Sequence, residues 1–86
     1  MATREATIAA EEGLHARPAA EFVQAVRSTG LNVTIAANGK GPVFAGSILQ
    51  VLKLGARKGD TVTLSAEGDG AETGIDMLVT QLETSE

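Results

Sequence analysis

Leu31, Val33, Ile35 and Ala37 fall on alternate positions, so a strand here has one apolar face and one wet face. The same period runs through Ala6-Thr7-Ile8-Ala9-Ala10 and Thr61-Val62-Thr63-Leu64-Ser65-Ala66. Strands covered on both faces, as in a parallel sheet, read instead as continuous apolar runs. One-sided strands predict an antiparallel sheet. Asn38-Gly39 is a hairpin turn signal. A short return strand is expected around Val43-Phe44-Ala45, with Pro42 marking its start or a sheet edge. Ala19, Phe22, Val23 and Val26 recur at i, i+3, i+4 and i+7, the stripe of an amphipathic helix that Ser28-Thr29-Gly30 ends. Ser47 opens a short helix from Ile48 to Leu54, closed by Gly55. Ala71, Ile75, Leu78 and Leu82 stripe a final helix. The order βαββαβα predicts an α+β fold, an open-faced two-layer sandwich in which helices cover one face of a four-stranded antiparallel sheet.

Composition narrows the function. The chain has 86 residues and no cysteine, which removes a disulfide framework and a thiolate metal site. Two Phe, with no Trp or Tyr, leave no aromatic platform for stacking bases, so nucleic acid is not an expected partner. No apolar run approaches a membrane span, and Met1 to Glu5 lacks the apolar stretch of a secretory signal. A cytoplasmic protein without membrane insertion is expected. The formal charge of −4 conceals an asymmetry. Lys40, Lys53, Arg57 and Lys58 face only Asp60 in the middle third, whereas residues 61–86 carry six acids and no base. Such a segment either steers toward an acidic partner or simply keeps the chain soluble.

The only histidine lies in Gly13-Leu14-His15-Ala16-Arg17-Pro18-Ala19-Ala20. Pro18 suits the first turn of a helix, where its missing N–H removes nothing needed, and it biases Arg17 away from helical geometry. His15 therefore stands just off a helix N-terminus, where unpaired N–H groups and the positive dipole end favour an anion. Arg17 adds a planar fork of donors matched to phosphate oxygens, and a neutral imidazole is a nucleophile. These residues alone leave two readings, a phosphoryl-carrying loop or a solvated cap beside a surface arginine.

The heptapeptide Gly-Leu-His-Ala-Arg-Pro-Ala at 13–19, with the βαββαβα order, resembles the HPr family, the histidine-containing phosphocarriers of the bacterial phosphoenolpyruvate–sugar phosphotransferase system. The likeness runs along the chain, through Asn38-Gly39-Lys40, Ser47-Ile48-Leu49, Leu54-Gly55 and Thr63-Leu64-Ser65-Ala66, and implies a single HPr-like domain over residues 1–86. It implies that enzyme I phosphorylates His15, at Nδ1 in that family, and that the group passes to enzyme IIA for sugar uptake. The protein would be a covalently modified carrier rather than an enzyme, acting as a monomer without cofactor or metal. Arg17 matches the family's phosphate-stabilising arginine, with the backbone of Ala16 and Arg17 as further donors. A carrier serving a nitrogen-regulatory or dihydroxyacetone-kinase branch, or a regulator that transfers nothing, shares the same fold.

Ile48, Leu49, Val51, Leu52 and Leu54 make the second helix apolar nearly all round. Val51 and Leu54 can share a core-facing side, leaving Leu49 and Leu52 outside it, so an exposed patch beside Lys53 is expected. In the family the matching helix docks on both partners, and Ala20, Gln24 and Arg27 of the first helix would border that surface with Ile48, Leu49, Leu52 and Lys53. Leu49 and Leu52 covering the sheet edge is the other reading. Ser47 is a preferred cap, and it also matches a serine that a kinase phosphorylates in some relatives. Gly46 before it and Gln50 after it depart from the regulated forms.

Overall fold

The computed structural model describes residues 1–84. The elements are β1 (Ala2–Thr7), α1 (Ala16–Thr29), β2 (Asn32–Ala37), β3 (Lys40–Phe44), α2 (Ile48–Lys53), β4 (Thr61–Glu67) and α3 (Ala71–Glu83). The four strands form one antiparallel sheet in the order β1-β4-β2-β3, and the helices cover one face of it. β4 thus pairs on both sides, setting Val62 against Ala6 and Ala37, and Leu64 against Ile35. The alternation places Val33, Ile35, Ala37, Val62, Leu64 and Ala66 in the core, all nearly without solvent contact. The opposite face carries hydroxyls, and Thr3 and Ser65 face each other with their oxygens 3.3 Å apart.

Phe22 and Val26 of α1, Val51 of α2, and Ile75 and Leu78 of α3 fill the space above the sheet. Among the described residues no polar or charged side chain is buried, so the core rests on apolar burial alone. Asn38 (φ 55°) and Gly39 (φ 75°) both take the left-handed backbone of the tight turn that joins β2 to β3. Pro42 lies within β3, an edge strand, where a missing N–H can face away from the ladder. Among the described residues no helix is long and apolar enough to cross a membrane.

The first strand lies upstream of its expected place, at Ala2–Thr7 rather than Ala6–Ala10. Its inward positions are Ala2, Arg4 and Ala6, two small residues and a charge, which give little apolar signal. Arg4 is accommodated because its guanidinium reaches the rim and pairs with Asp76 of α3 at 3.2 Å. Ile8, the bulky buried residue that draws the expected strand downstream, lies one residue past the end of β1.

Candidate functional site

β1 and α1 are joined by a loop held at two buried points. At the first, the Ile8 N–H donates to the Asp60 carbonyl at 2.9 Å and the Ile8 carbonyl accepts from Gly59 at 2.8 Å. At the second, Leu14 is 2% exposed and its N–H donates to the Ala56 carbonyl at 2.9 Å. Gly13 makes this approach possible. Its φ is +75°, and a Cβ there would stand 2.5 Å from the Ala56 oxygen and 2.7 Å from the Arg57 Cα. Outside, Lys58 reaches across to Glu11 at 2.7 Å. Its hydrogen bond, and then its charge, hold the Glu11 carboxyl below the usual glutamate value, against a slight opposing effect of burial.

Once Leu14 is pinned, the chain turns outward. His15 is extended (φ −141°, ψ 158°), donates its N–H to the Gly13 carbonyl at 2.9 Å, and caps nothing with its exposed side chain. Ala16 follows at φ 49°, a left-handed conformation that costs a residue with a side chain about 1–3 kcal/mol and tends to cluster at functional sites. The expected helix start was near Pro18, and α1 begins at Ala16. Among the described residues the N–H groups of Ala16 and Arg17 find no acceptor, and Pro18 has none to offer. The exposed Arg17 side chain is likewise without an intramolecular partner among them. An imidazole, two unpaired main-chain donors, the positive helix end and a guanidinium thus occupy three consecutive residues. Such a set can hold an anion against a nucleophile.

A groove of about 580 Å³ runs beside Arg17, walled by Gly13, Leu14, Pro18, Glu21 and Leu82, and His15 is not among its walls. A small-molecule substrate is normally held in a concavity of this kind. The imidazole stands outside it, on an exposed loop, where another protein can reach it.

Ala20, Gln24 and Arg27 are exposed on α1, one turn after another, leading from the His15 loop toward α2. Ile48 and Leu49 are 43% and 61% exposed, and Lys53 is exposed beside them. Leu52 differs from expectation. It is half-buried and packs against the core, because this short helix tucks one flank beside Val51 and Leu54 under its neighbours. Ser47 caps α2, its hydroxyl accepting from the Gln50 N–H at 3.4 Å. Phe44, 48% exposed next to α2, was not singled out in the sequence, although its alternate position in the return strand pointed to a wet face. In the sequence Gly13 stands out only as the first residue of the heptapeptide, since nothing local signals the approach of Ala56.

The family model described as the PTS HPr component phosphorylation site matches residues 2–84. The phosphocarrier protein HPr of Streptomyces coelicolor is 46% identical, over 91% of this chain and 84% of its own length. That of Vibrio cholerae is 40% identical over 92% of each. The crystal structure of HPr from Thermoanaerobacter tengcongensis matches with a TM-score of 0.89 at 38% identity, covering 96% of this chain and 92% of that one. Sequence, fold and loop agree, and the chain belongs to the HPr family of phosphocarriers of the phosphotransferase system.

Proposed function

We propose that His15 is the residue on which this phosphocarrier bears its phosphoryl group. As an HPr, the protein is a phosphotransfer carrier rather than a classical enzyme, moving a phosphoryl group from enzyme I to enzyme IIA by way of a histidine. The observation that carries the residue assignment is the exposed position of the chain's one histidine beside two unpaired main-chain donors and Arg17. An imidazole nitrogen directs its lone pair at phosphorus as the donor's bond to phosphorus breaks and its electron pair returns to the donor. The transferring group spreads negative charge over three oxygens. The Ala16 and Arg17 N–H groups and the Arg17 fork supply fixed positive partners for that charge. The second transfer runs the same step in reverse, onto enzyme IIA.

An exposed acceptor needs a docking surface, and the α1 stripe of Ala20, Gln24 and Arg27 with Ile48, Leu49, Leu52 and Lys53 of α2 supplies one. The protein acts as a monomer in this role, as one domain, in the cytoplasm, without nucleic acid as a partner. Ser47 serves as the cap of α2; a kinase addressing its hydroxyl would replace that hydrogen bond with a dianion.

The test is labelling by enzyme I and phosphoenolpyruvate. His15→Ala should fold as the parent does and take up no acid-labile phosphate. Arg17→Lys keeps the charge without the fork and should transfer more slowly in both directions. Acid-labile label on His15→Ala would refute the assignment.

A further inference from the structure

Arg27 is the residue whose position within the docking surface is most informative. Its Nε–H donates to the main-chain carbonyl of Gly46 at 2.8 Å, in a partly buried bond from the last turn of α1 to the residue just ahead of the α2 cap. α2 is a six-residue helix with one fully buried side chain, Val51, too short to persist by its own hydrogen bonds. It is held from outside. At its C-terminal end the Asn38 side-chain amide donates to the Leu54 and Gly55 carbonyls at 3.3 and 3.4 Å, and the Lys40 ammonium to the Lys53 carbonyl at 3.3 Å. At its N-terminal end the Phe44 ring lies over the buried Gly46, and Arg27 grips the carbonyl of that glycine. Arg27 is the side chain that ties this end to α1, the helix carrying His15 and Arg17 at its start.

We infer that Arg27 is a positioning residue for phosphoryl transfer. Through the Nε–H bond to Gly46 it fixes the start of α2, and with it Ile48 and Leu49, relative to the His15 loop, so that a partner seated on the helix finds the imidazole in place. This rests on the reading of α2 as a docking surface. It differs from a role in which the Arg27 charge meets an acidic partner directly, because the contact to Gly46 needs a hydrogen-bond donor at that position, which a neutral side chain can also supply.

Two variants separate these roles. Glutamine places an amide nitrogen as many bonds from the main chain as the arginine Nε, so Arg27→Gln removes the charge and can keep the donor. Arg27→Met removes both. A hydrogen bond from a charged donor contributes enough for its loss to raise the opening of the α2 start about tenfold. Hydrogen exchange at the Gln50 and Val51 amides, which bond to the Ser47 hydroxyl and carbonyl, reads that opening in the free protein. Arg27→Met should exchange about tenfold faster there, and its KM for phospho-enzyme I should rise with little change in kcat. Arg27→Gln should fall between Arg27→Met and the parent on both measures. Equal KM increases in the two variants, with exchange unchanged, would assign Arg27 to a direct charge contact and overturn the inference. Faster exchange with KM unmoved, in a protein where Leu49→Asp does raise KM, would also overturn it. If Leu49→Asp leaves KM unmoved, the docking reading of α2 fails first and the positioning role falls with it.

Discussion

Replacing Gly13 by alanine tests whether the His15 loop is shaped by its contact with the segment before β4. Two costs combine at this position. The φ of +75° imposes left-handed strain of about 1–2 kcal/mol on alanine. The new methyl would also stand 2.5 Å from the Ala56 oxygen and 2.7 Å from the Arg57 Cα. Both are backbone atoms that cannot rotate away, and overpacking of this kind costs about 1–3 kcal/mol more. Gly39→Ala is the matched control, since Gly39 has the same φ of +75° with nothing within 4 Å of the added carbon. It should show the strain alone. The difference between the two variants is then about 1–3 kcal/mol, which in a domain of this size places the Gly13→Ala melt about 4–24 °C below that of Gly39→Ala. Relief of the clash must also lengthen the Leu14 N–H bond to Ala56, now 2.9 Å, and displace the residue before His15. Thermal melts and transfer rates from phospho-enzyme I, taken side by side, check both parts. Coincident melts and equal transfer rates would show that the close approach does not shape the loop.

Leu49→Asp should cost little stability. Leu49 is 61% exposed, so under half of the roughly 1.5–3 kcal/mol of a buried leucine is at stake, and an aspartate in the first turn of α2 recovers part of that through the helix dipole. Transfer with both partners should nevertheless weaken, by about 2 kcal/mol if Leu49 is a hot spot, and severe unfolding would place it in the core instead. The Glu11 carboxyl should titrate below the ordinary glutamate value, and Lys58→Ala should return it there, as followed by NMR. With the folded value depressed, the pair's stabilisation is present above the unfolded glutamate value and fades as pH falls through the folded one. Identical titrations in parent and variant would remove the pair from the loop's support.

Much of the architecture was legible because its signals are local. Period-two alternation, the Asn38-Gly39 turn, the Ser47 cap and the α1 stripe each lie within a few neighbouring residues. β1 was misplaced because its inward residues, Ala2, Arg4 and Ala6, have too little apolar surface to register, and Arg4 finds its partner on α3, far along the chain. The His15 loop was legible as a heptapeptide, but the contacts that shape it were not. Gly13 meets Ala56 across a separation that no local pattern encodes, and the same is true of the contacts that hold α2, Arg27 to Gly46 and Asn38 to Leu54. Leu52 shows the limit of helical spacing, which assigned it to the side of Leu49 without knowing how far the core extends beneath α2.

The placement of β4 between β1 and β2 bears on how the protein is made. Among the described residues β1 pairs with no strand but β4, so the first of these four strands to be synthesised waits for the fourth. The anchors of the His15 loop, at Ala56 and Asp60, also lie just upstream of β4. A nascent chain that has emerged only through α2 therefore displays the whole heptapeptide without the backbone that bends it into an anion-holding turn. Stalled or truncated products, and short peptides bearing the motif, should be inert toward enzyme I even though His15 and Arg17 are present. Joining the present termini and opening the chain in the β2–β3 turn would place β4 ahead of β1 in synthesis, so such a permutant would already hold the anchors at Ala56 and Asp60 when its heptapeptide emerges.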